Sequence, residues 1–326
     1  MATTVPFEVP YDRVAYHRYR VRLVAKERIV APPERLPNML RGTFEMAFRY
    51  LVCHNVELDC RTCPLQGVCP YPPVFRPTPP VGAERLSKQS DLPRPFVFEP
   101  PLVERAELAA GDVLEVGLTL FGAANRSLPY AVVALRSLAQ RGLGPTRGRL
   151  ELQGIVAEMP AGERPAYDAS RSLVSIVDEP VRLPHVARPA DERSTRVSVH
   201  FLTPTTLKRD GELVEEPIFG DIVRRARDRL STIAAFFGDG PLTIDFAGVG
   251  RAADEVRTVE VRTEWTRRTR RSSRSGGVHE TSGFVGHAVY EGRLGPFMPL
   301  LRAAELLHVG KYAVWGNGRV ELESVQ

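Results

Sequence analysis

GFVGHAVYEG, residues 283–292, opens the stretch that decides the fold of this chain. It is rich in strand-forming residues, and we predict a strand there. The apolar run PFMPLLRAAELL (296–307) follows and predicts a helix, and YAVWGNGRVEL (312–322) predicts a last strand. The C-terminal end therefore reads as strand, helix and strand.

A glycine-rich turn joins this helix to the last strand. It contains Gly310, Gly316, Asn317 and Gly318, with Lys311 beside the first glycine. Glycine lets backbone amides approach an anion closely, and lysine adds a positive charge. On these residues alone two interpretations stay open, a tight turn between core elements or a cradle for a phosphate.

The segments upstream of this stretch extend the same pattern. Strands are predicted over 195–204, 241–249 and 256–265, and an amphipathic helix over 218–237. The C-terminal half thus alternates strands with two helices, as a sheet covered by helices does.

The N-terminal half repeats this order with little residue identity. A first strand lies within 13–30 and places Arg18 and Arg20 on one face, and an amphipathic helix over 35–52 contains Arg41. Strands over 96–101, 112–122 and 148–158 and a helix over 127–141 complete the order β-α-β-β-α-β. We therefore predict an α+β protein with tandem ferredoxin-like domains at 1–190 and 195–326, joined by an irregular connector over 159–194 with one short strand, SLVSIV.

All four cysteines lie close together, at Cys53, Cys60, Cys63 and Cys69. Four thiolates within so short a segment can converge on one metal, and a reducing compartment disfavours disulfides. The spacing resembles the [4Fe-4S] loop of helix-hairpin-helix DNA glycosylases over these residues only. We predict a structural four-cysteine metal centre in the loop 53–69, with [4Fe-4S] favoured slightly over Zn²⁺.

A proline-rich excursion follows the cysteine loop over 70–95 and includes PYPPVFRPTPP. Proline lacks the backbone donor that regular structure needs, so this segment is predicted to be irregular. A metal would hold such a loop in place without a core of its own.

The second notable run is WTRRTRRSSRSGG (265–277). It has no acidic residue, ends in glycines and lies between two predicted strands, as a loop that orders on a phosphate backbone does. A solvated face is the alternative. Its arginines are Arg267, Arg268, Arg270, Arg271 and Arg274.

Seven histidines are the candidates for acid–base chemistry near neutral pH. His308 is next to the glycine-rich turn, and His54 ends the first helix beside Cys53. The sequence contains no phosphate-binding P-loop, no nucleophile elbow and no H-E-x-x-H zinc motif.

Several of these pieces together resemble the CRISPR-associated RAMP-superfamily endoribonucleases that process precursor CRISPR RNA. The resemblance rests on HFLTPTTLK (200–208), GFVGHAVYEG (283–292) and HVGKYAVWGNGR (308–319), and CPYPPVF (69–75) looks like one branch of that family. It covers nearly the whole chain and implies tandem RAMP or RRM-like domains.

The resemblance also implies an activity and a site. It implies binding of a CRISPR repeat RNA and one metal-independent cut by the 2′-hydroxyl, giving a 2′,3′-cyclic phosphate. It places the family's glycine-rich loop on the turn described above, and a histidine near the first helix as general base. The expected RNA-binding residues are those of this turn, the five arginines of 265–277, and Arg18, Arg20 and Arg41. His54 is the nearest histidine, so the expected catalytic residues are His54, His308 and Lys311.

Two other classes of function stay open. A non-catalytic RAMP subunit would bind guide RNA in an interference complex with other CRISPR subunits. An iron–sulfur DNA-processing enzyme would need an acidic catalytic set or a helix-hairpin-helix, and the sequence contains neither. The absence of a long apolar run and of a signal peptide favours a cytoplasmic protein without membrane contact.

Overall fold

The computed structural model describes residues 11–79, 92–102, 107–183, 193–271 and 277–324. These residues form two compact units. The N-terminal unit is Tyr16–Val181, and the C-terminal unit runs from Arg182 onward and takes in the described residues before Tyr16.

The N-terminal unit is built on one antiparallel sheet. Its strands along the chain are β1 (Ala15–Ala25), β2 (Ile29–Val30), β3 (Phe96–Glu99), β4 (Glu107–Leu108), β5 (Val113–Phe121), β6 (Leu150–Met159), β7 (Gly162–Asp168), β8 (Leu173–Val174) and β9 (Val181–Arg182). Its helices are α1 (Leu36–Val52), α2 (Tyr71–Phe75) and α3 (Leu128–Arg141). The main sheet has the order β3-β5-β1-β6-β7-β8, with β9 paired to β1, while β2 and β4 form a separate pair.

An aromatic cluster forms the centre of the N-terminal core. Phe44 of α1 lies 5.1 Å from Phe98 of β3, measured between ring centroids, and Phe48 lies 5.1 Å from Phe75 of α2. Each of these rings is at most 2% exposed. Burial of a phenylalanine side chain contributes roughly 1.5–3 kcal/mol, so this cluster fixes α1 and α2 against the sheet.

The C-terminal unit repeats the arrangement. Its strands are β10 (Arg196–Thr205), β11 (Leu207–Arg209), β12 (Glu212–Val214), β13 (Arg257–Thr266), β14 (Thr269–Arg271), β15 (Val278–Glu280), β16 (Gly283–Glu291) and β17 (Val320–Ser324). Its helices are α4 (Phe219–Phe237), α5 (Phe246–Asp254) and α6 (Met298–Leu307). The main sheet has the order β13-β16-β10-β17, and β11 pairs with β12. In each main sheet the earliest strand lies between two later ones: β1 between β5 and β6, and β10 between β16 and β17. The predicted β-α-β-β-α-β order requires this arrangement.

One predicted strand of the C-terminal half is a helix. A strand was predicted over 241–249, but the helix α5 begins inside it, at Phe246. The Asp245 side chain accepts a hydrogen bond of 2.8 Å from Gly248 N and caps the start of this helix. The predicted strand over 312–322 is also too long. A short 3₁₀ turn, Ala313–Trp315, comes first, and β17 begins only at Val320.

Two segments that the sequence predicted to be irregular contain regular structure. The helix α2 lies inside the proline-rich excursion, because Pro72 and Pro73 occupy the first helical turn, where a missing backbone N–H costs nothing. The connector 159–194 contributes β7, β8 and β9, and β7 pairs with β6 from Met159 to Gly154. In β7 only Ala166 and Tyr167 are buried, so its sequence lacks the alternation of apolar and polar residues by which a strand is recognised. Residues 80–91 and 184–192 lie outside the described part.

Within the part of the chain that the structure describes, no helix is both long enough and apolar enough to cross a bilayer.

Candidate nucleic-acid interface

The arginine run forms the outer part of a β-hairpin. The strands β13 and β16 pair as far as Thr266 and Gly283, and β14 and β15 continue with Arg270 opposite His279. Arg267, between the two pairs of strands, is exposed. Arg274 lies outside the described residues. We call the segment 267–280 the arginine hairpin.

Hydrogen bonds hold the root of the arginine hairpin in place. Arg268 O accepts from Thr281 N at 2.8 Å, and Arg268 N donates to Ser282 Oγ at 3.0 Å. Ser282 Oγ in turn donates to Glu280 Oε1 at 2.7 Å. The hairpin therefore leaves the sheet in a fixed direction.

The glycine-rich loop is a packed turn. The backbone amides of Lys311, Gly316 and Gly318 donate to the carbonyl groups of Thr206, Ala313 and Pro204, at 3.2, 2.9 and 3.0 Å. These amides are therefore used inside the protein.

Left-handed backbone explains why the loop needs glycine. Gly318 has φ +70°, and a Cβ there would lie 1.8 Å from Val309 O. Gly310 has φ +85°, and its Cβ would lie 2.5 Å from Thr206 O. Any other residue at either position would be strained and would collide with backbone.

The loop and the hairpin root are bonded to each other. Asn317 Nδ2 donates to Thr281 O at 3.1 Å. Thr206, which precedes β11 and accepts from Lys311 N, donates from Oγ1 to Ser282 O at 2.5 Å. Asn317 O lies 3.0 Å from Nδ1 of His308, which is fully buried. The structure thus brings together two elements that the sequence selected separately.

The three expected catalytic residues have different environments. Lys311 is exposed on the glycine-rich loop, whereas the ring of His308 supports that loop from inside. His54 is exposed and belongs to the N-terminal unit. Of the three, Lys311 and His54 are open to an approaching ligand.

Carboxylates compensate the arginines of β1. Arg18 forms ion pairs of 2.8 Å with Glu99 and 3.3 Å with Glu158, and Arg20 pairs with Glu163 and, at 3.8 Å, with Glu158. We call this surface the β1 ladder. Farther along it, Arg22 lies 3.5 Å from Glu115 and Lys26 lies 2.6 Å from Glu151.

Arg41 is likewise part of the fold. Only 5% of it is exposed, and it pairs with Glu45 on the next turn of α1. Burial lowers the pKa of Arg41 to about 10, an effect that Glu45 opposes. Glu45 also accepts a 2.8 Å hydrogen bond from the hydroxyl of Tyr71, which ties α1 to α2.

None of the four cysteines forms a disulfide, and each is partly exposed. Burial raises the pKa of the Cys60 thiol; nearby Arg49 opposes the shift, and Cys53 and Cys69 add to it. In the described ranges, no group of three or more His, Cys, Asp or Glu side chains is arranged as a metal site. The donor set suits a thiophilic metal, but the sulfur atoms would have to draw together to bind one.

Sequence reasoning missed a histidine pair. His200 and His287 lie opposite each other on β10 and β16, with ring centroids 5.5 Å apart. His200 Nε2 lies 3.0 Å from Glu323, and His287 Nε2 lies 3.6 Å from Glu260. Only the strand register brings these residues together, so no local motif could have shown the pair.

Two family models match the chain. Residues 13–179 match AF_1859_N, described as an N-terminal domain, and residues 199–320 match the CRISPR-associated endoribonuclease Cas6. These matches define the class of protein and confirm the resemblance to CRISPR-associated RAMP endoribonucleases. The chain belongs to the AF_1859_N family, whose model covers about half of it, and its residues 199–320 are similar to the Cas6 endoribonuclease model.

Solved structures share the fold. The Thermus thermophilus Cas6 TTHB231, in a product complex, has a TM-score of 0.54 at 14% identity, over 95% of this chain and 99% of that one. A chain of a partial Cas6-RT-Cas1–Cas2 complex has a TM-score of 0.58 at 11% identity, over 97% of this chain and 47% of that longer one. No curated protein matches the chain in sequence.

Proposed function

We propose that this protein binds CRISPR repeat RNA and cuts precursor CRISPR RNA at one position. The single observation that carries the proposal is the hydrogen-bonded junction of the arginine hairpin and the glycine-rich loop, inside the segment that matches Cas6. An exposed arginine next to a rigid, lysine-bearing loop suits a phosphate backbone.

The proposed cut needs no metal. A base takes the proton of a ribose 2′-hydroxyl, and the 2′ oxygen attacks the adjacent phosphorus. The bond from phosphorus to the 5′ oxygen breaks, and an acid protonates that oxygen. The products are a 2′,3′-cyclic phosphate and a 5′-hydroxyl. Lys311 would stabilise the charge that develops on the phosphate oxygens, and exposed His54 remains the proposed proton-transfer residue. The expected proton transfer by His308 is corrected, because that fully buried ring contacts Asn317 and would act by holding the loop.

A repeat RNA with a 2′-deoxy nucleotide at the cut position tests this proposal. Wild-type protein should cut the all-ribose RNA and leave the deoxy RNA bound but intact. Lys311→Ala and His54→Ala should each slow the cut at least tenfold, with RNA affinity much less affected. Arg171→Ala, an exposed arginine of the N-terminal unit, is the control and should cut normally. Equal cutting of both RNAs would overturn the mechanism.

A non-catalytic RAMP subunit that binds guide RNA is the second candidate. The observation that favours it is the complete burial of His308, whose ring bonds the loop instead of facing a ligand. This alternative predicts tight RNA binding, no cut in either RNA and no effect of the His54 and Lys311 variants.

We also propose that the two units are tandem ferredoxin-like domains, with limits near 1–190 and 195–326. The strand order in each sheet supports this. Limited proteolysis should cut near residue 190 and leave two protected fragments. A first cut inside either sheet would contradict the division.

A structural metal centre at Cys53, Cys60, Cys63 and Cys69 is a further part of the proposal. Four cysteines without a disulfide in one short loop support it, and [4Fe-4S] is favoured slightly over Zn²⁺. Freshly purified protein should be brown with a band near ~400 nm if the cluster is present. Elemental analysis that finds neither iron nor zinc in stoichiometric amount would refute a metal centre.

Partners follow from the same proposal. One structure that shares the fold is a Cas6-RT-Cas1–Cas2 complex, and we propose association with other CRISPR subunits for this chain as well. The proposed location is the cytoplasm, where precursor RNA is made and processed. Co-purification of tagged protein with repeat RNA and Cas proteins would test both.

A further inference from the structure

A cleft in the N-terminal unit has the chemistry of a nucleotide site. It has a volume of about 710 Å³ and lies between α1, the segment after β2 and the turn that follows α3. Three arginines line it, Arg35, Arg141 and Arg147, together with Tyr50, Met39 and Met46. The lining contains no aspartate or glutamate.

The positive charge of the cleft is uncompensated. Within the described ranges, no carboxylate forms an ion pair with Arg35, Arg141 or Arg147, and all three are exposed. The arginines of the β1 ladder show the opposite arrangement. Three such arginines around one concave surface attract an anion. One guanidinium can donate two parallel hydrogen bonds to two oxygens of the same phosphate.

An aromatic face lies beside this charge. The Arg141 guanidinium lies 5.3 Å from the ring centroid of Tyr50, and that residue is 56% exposed. Met46, one turn before Tyr50 on α1, is 40% exposed. Exposed aromatic rings, arginine planes and flexible methionines provide the surfaces on which an unpaired base stacks.

The wall that carries Arg147 is rigid. Leu143 and Gly148 exchange two backbone hydrogen bonds of 2.9 and 3.0 Å, and Arg147 N donates to Gly144 O at 3.1 Å. Gly144 has φ +77°, and a Cβ there would lie 2.3 Å from Val30 O, so the turn packs tightly on the segment after β2.

Arg147 has the left-handed φ of +50° within this turn. That conformation costs free energy for any residue with a Cβ, and glycine would relieve it. The fold therefore presents an arginine at a position where its own stability favours glycine.

We propose that this cleft binds one unpaired nucleotide of the RNA, with the phosphate on the arginines and the base against Tyr50 and Met46. The inference rests on the proposed function for its RNA ligand. The cleft volume lies within the ~300–1,000 Å³ of small-molecule sites and suits a single splayed nucleotide better than a duplex.

Opposite effects of one substitution on folding and on binding provide the test. Arg147→Gly should leave the melting temperature equal to wild type or raise it. The same change should weaken binding of a short single-stranded oligoribonucleotide by roughly tenfold, the loss of one phosphate contact. Tyr50→Leu should weaken it by a similar factor through lost stacking. AMP should compete with the oligonucleotide for wild type and much less for either variant.

Arg136→Gln is the matched control, because Arg136 is an exposed arginine of the same helix as Arg141 and does not line the cleft. Its RNA affinity should equal that of wild type. Unchanged RNA binding by Arg147→Gly and Tyr50→Leu would overturn the inference, and so would an equal loss in the control. Binding of an acidic protein with no competition by AMP would also overturn it.

The assay distinguishes this inference from the proposed function. If repeat RNA is cut and the cleft variants bind normally, only the inference fails. If no RNA is cut but the variants bind oligonucleotide weakly, the cleft stands and the endoribonuclease proposal fails.

Discussion

The arginines of the β1 ladder and Arg267 of the arginine hairpin are the same residue type in different surroundings. Arg18 and Arg20 each touch carboxylates that arrive from other strands, whereas exposed Arg267 has none among the described residues. An ion pair on the surface contributes only about 0–1 kcal/mol, but it occupies the guanidinium. The partners of an arginine, not the number of arginines, therefore decide whether a strand can hold a phosphate backbone.

The largest effect is expected from the arginine hairpin. Replacing Arg267, Arg270 and Arg271 by glutamine should lower RNA affinity on the order of 100-fold near physiological salt, because contacts to several phosphates are lost together. The matched variant replaces Arg18, Arg20 and Arg22 and should change affinity by less than about threefold. Filter binding measures both, and equal losses would mean that the two surfaces do not differ in RNA binding.

The glycine-rich loop that supports the hairpin gives the next largest effect. Gly318→Ala should cost roughly 3 kcal/mol of unfolding free energy, because left-handed strain of about 1–2 kcal/mol adds to a collision with Val309 O. Gly211→Ala is the control, since Gly211 has φ +91° but no heavy atom within 4 Å of the added Cβ. Gly211→Ala should lose only the unfolding free energy that corresponds to the left-handed strain. Urea denaturation measures the unfolding free energy of both variants. Similar losses in the two would contradict a close contact between position 318 and Val309 O.

A smaller effect is expected on the pH dependence of stability, from the buried residue His17 of β1. Burial lowers the pKa of His17, although Asp178 and hydrogen bonds to the backbone of Val177 and Glu179 oppose the shift. Because burial outweighs these contacts, the folded state disfavours the protonated ring. As pH falls through about 6.5, the unfolded chain gains a proton that the folded chain does not, and stability falls until the folded pKa is reached.

Wild-type protein should therefore lose more stability than His17→Phe when pH is lowered from about 7 to about 5. Denaturation curves of both proteins at the two pH values measure the difference. An equal loss in both would assign the acid sensitivity to groups other than His17.

The smallest effect on stability and RNA binding is expected when Arg20 of the β1 ladder loses one carboxylate partner. Glu163→Gln removes a carboxylate partner of Arg20, while Glu158 remains 3.8 Å away. We expect a change in stability below about 1 kcal/mol and a rise in RNA binding of about twofold or less. Glu27→Gln, which removes the partner of Arg149 outside the ladder, serves as the control. A large rise would mean that carboxylates alone keep RNA off this face.

Local patterns were enough for the main elements of the fold. The apolar spacing of 35–52 predicted α1, which runs Leu36–Val52, and the alternation along β1 predicted its two faces. The strand 241–249 was wrong because a side-chain cap, Asp245 to Gly248, outweighed β propensity. The helix α2 was missed because its stability comes from aromatic packing against distant Phe44 and Phe96, which no local pattern contains.

The site was less predictable than the fold for the same reason. The sequence selected the glycine-rich turn and the arginine run, but it could not show that Asn317 bonds Thr281. It also could not show the carboxylates opposite Arg18 and Arg20, since they belong to other strands. Contacts between segments far apart in the chain decide both points.

The proposed cut is tested most directly by the products formed when purified protein meets its CRISPR repeat RNA in EDTA. Metal analysis before and after EDTA should accompany the reaction, so that loss of a structural metal is not mistaken for loss of a catalytic one. We predict a single cut whose upstream product ends in a 2′,3′-cyclic phosphate. RNA that is bound but stays intact, or that is cut only after Mg²⁺ is restored, would contradict the proposed mechanism.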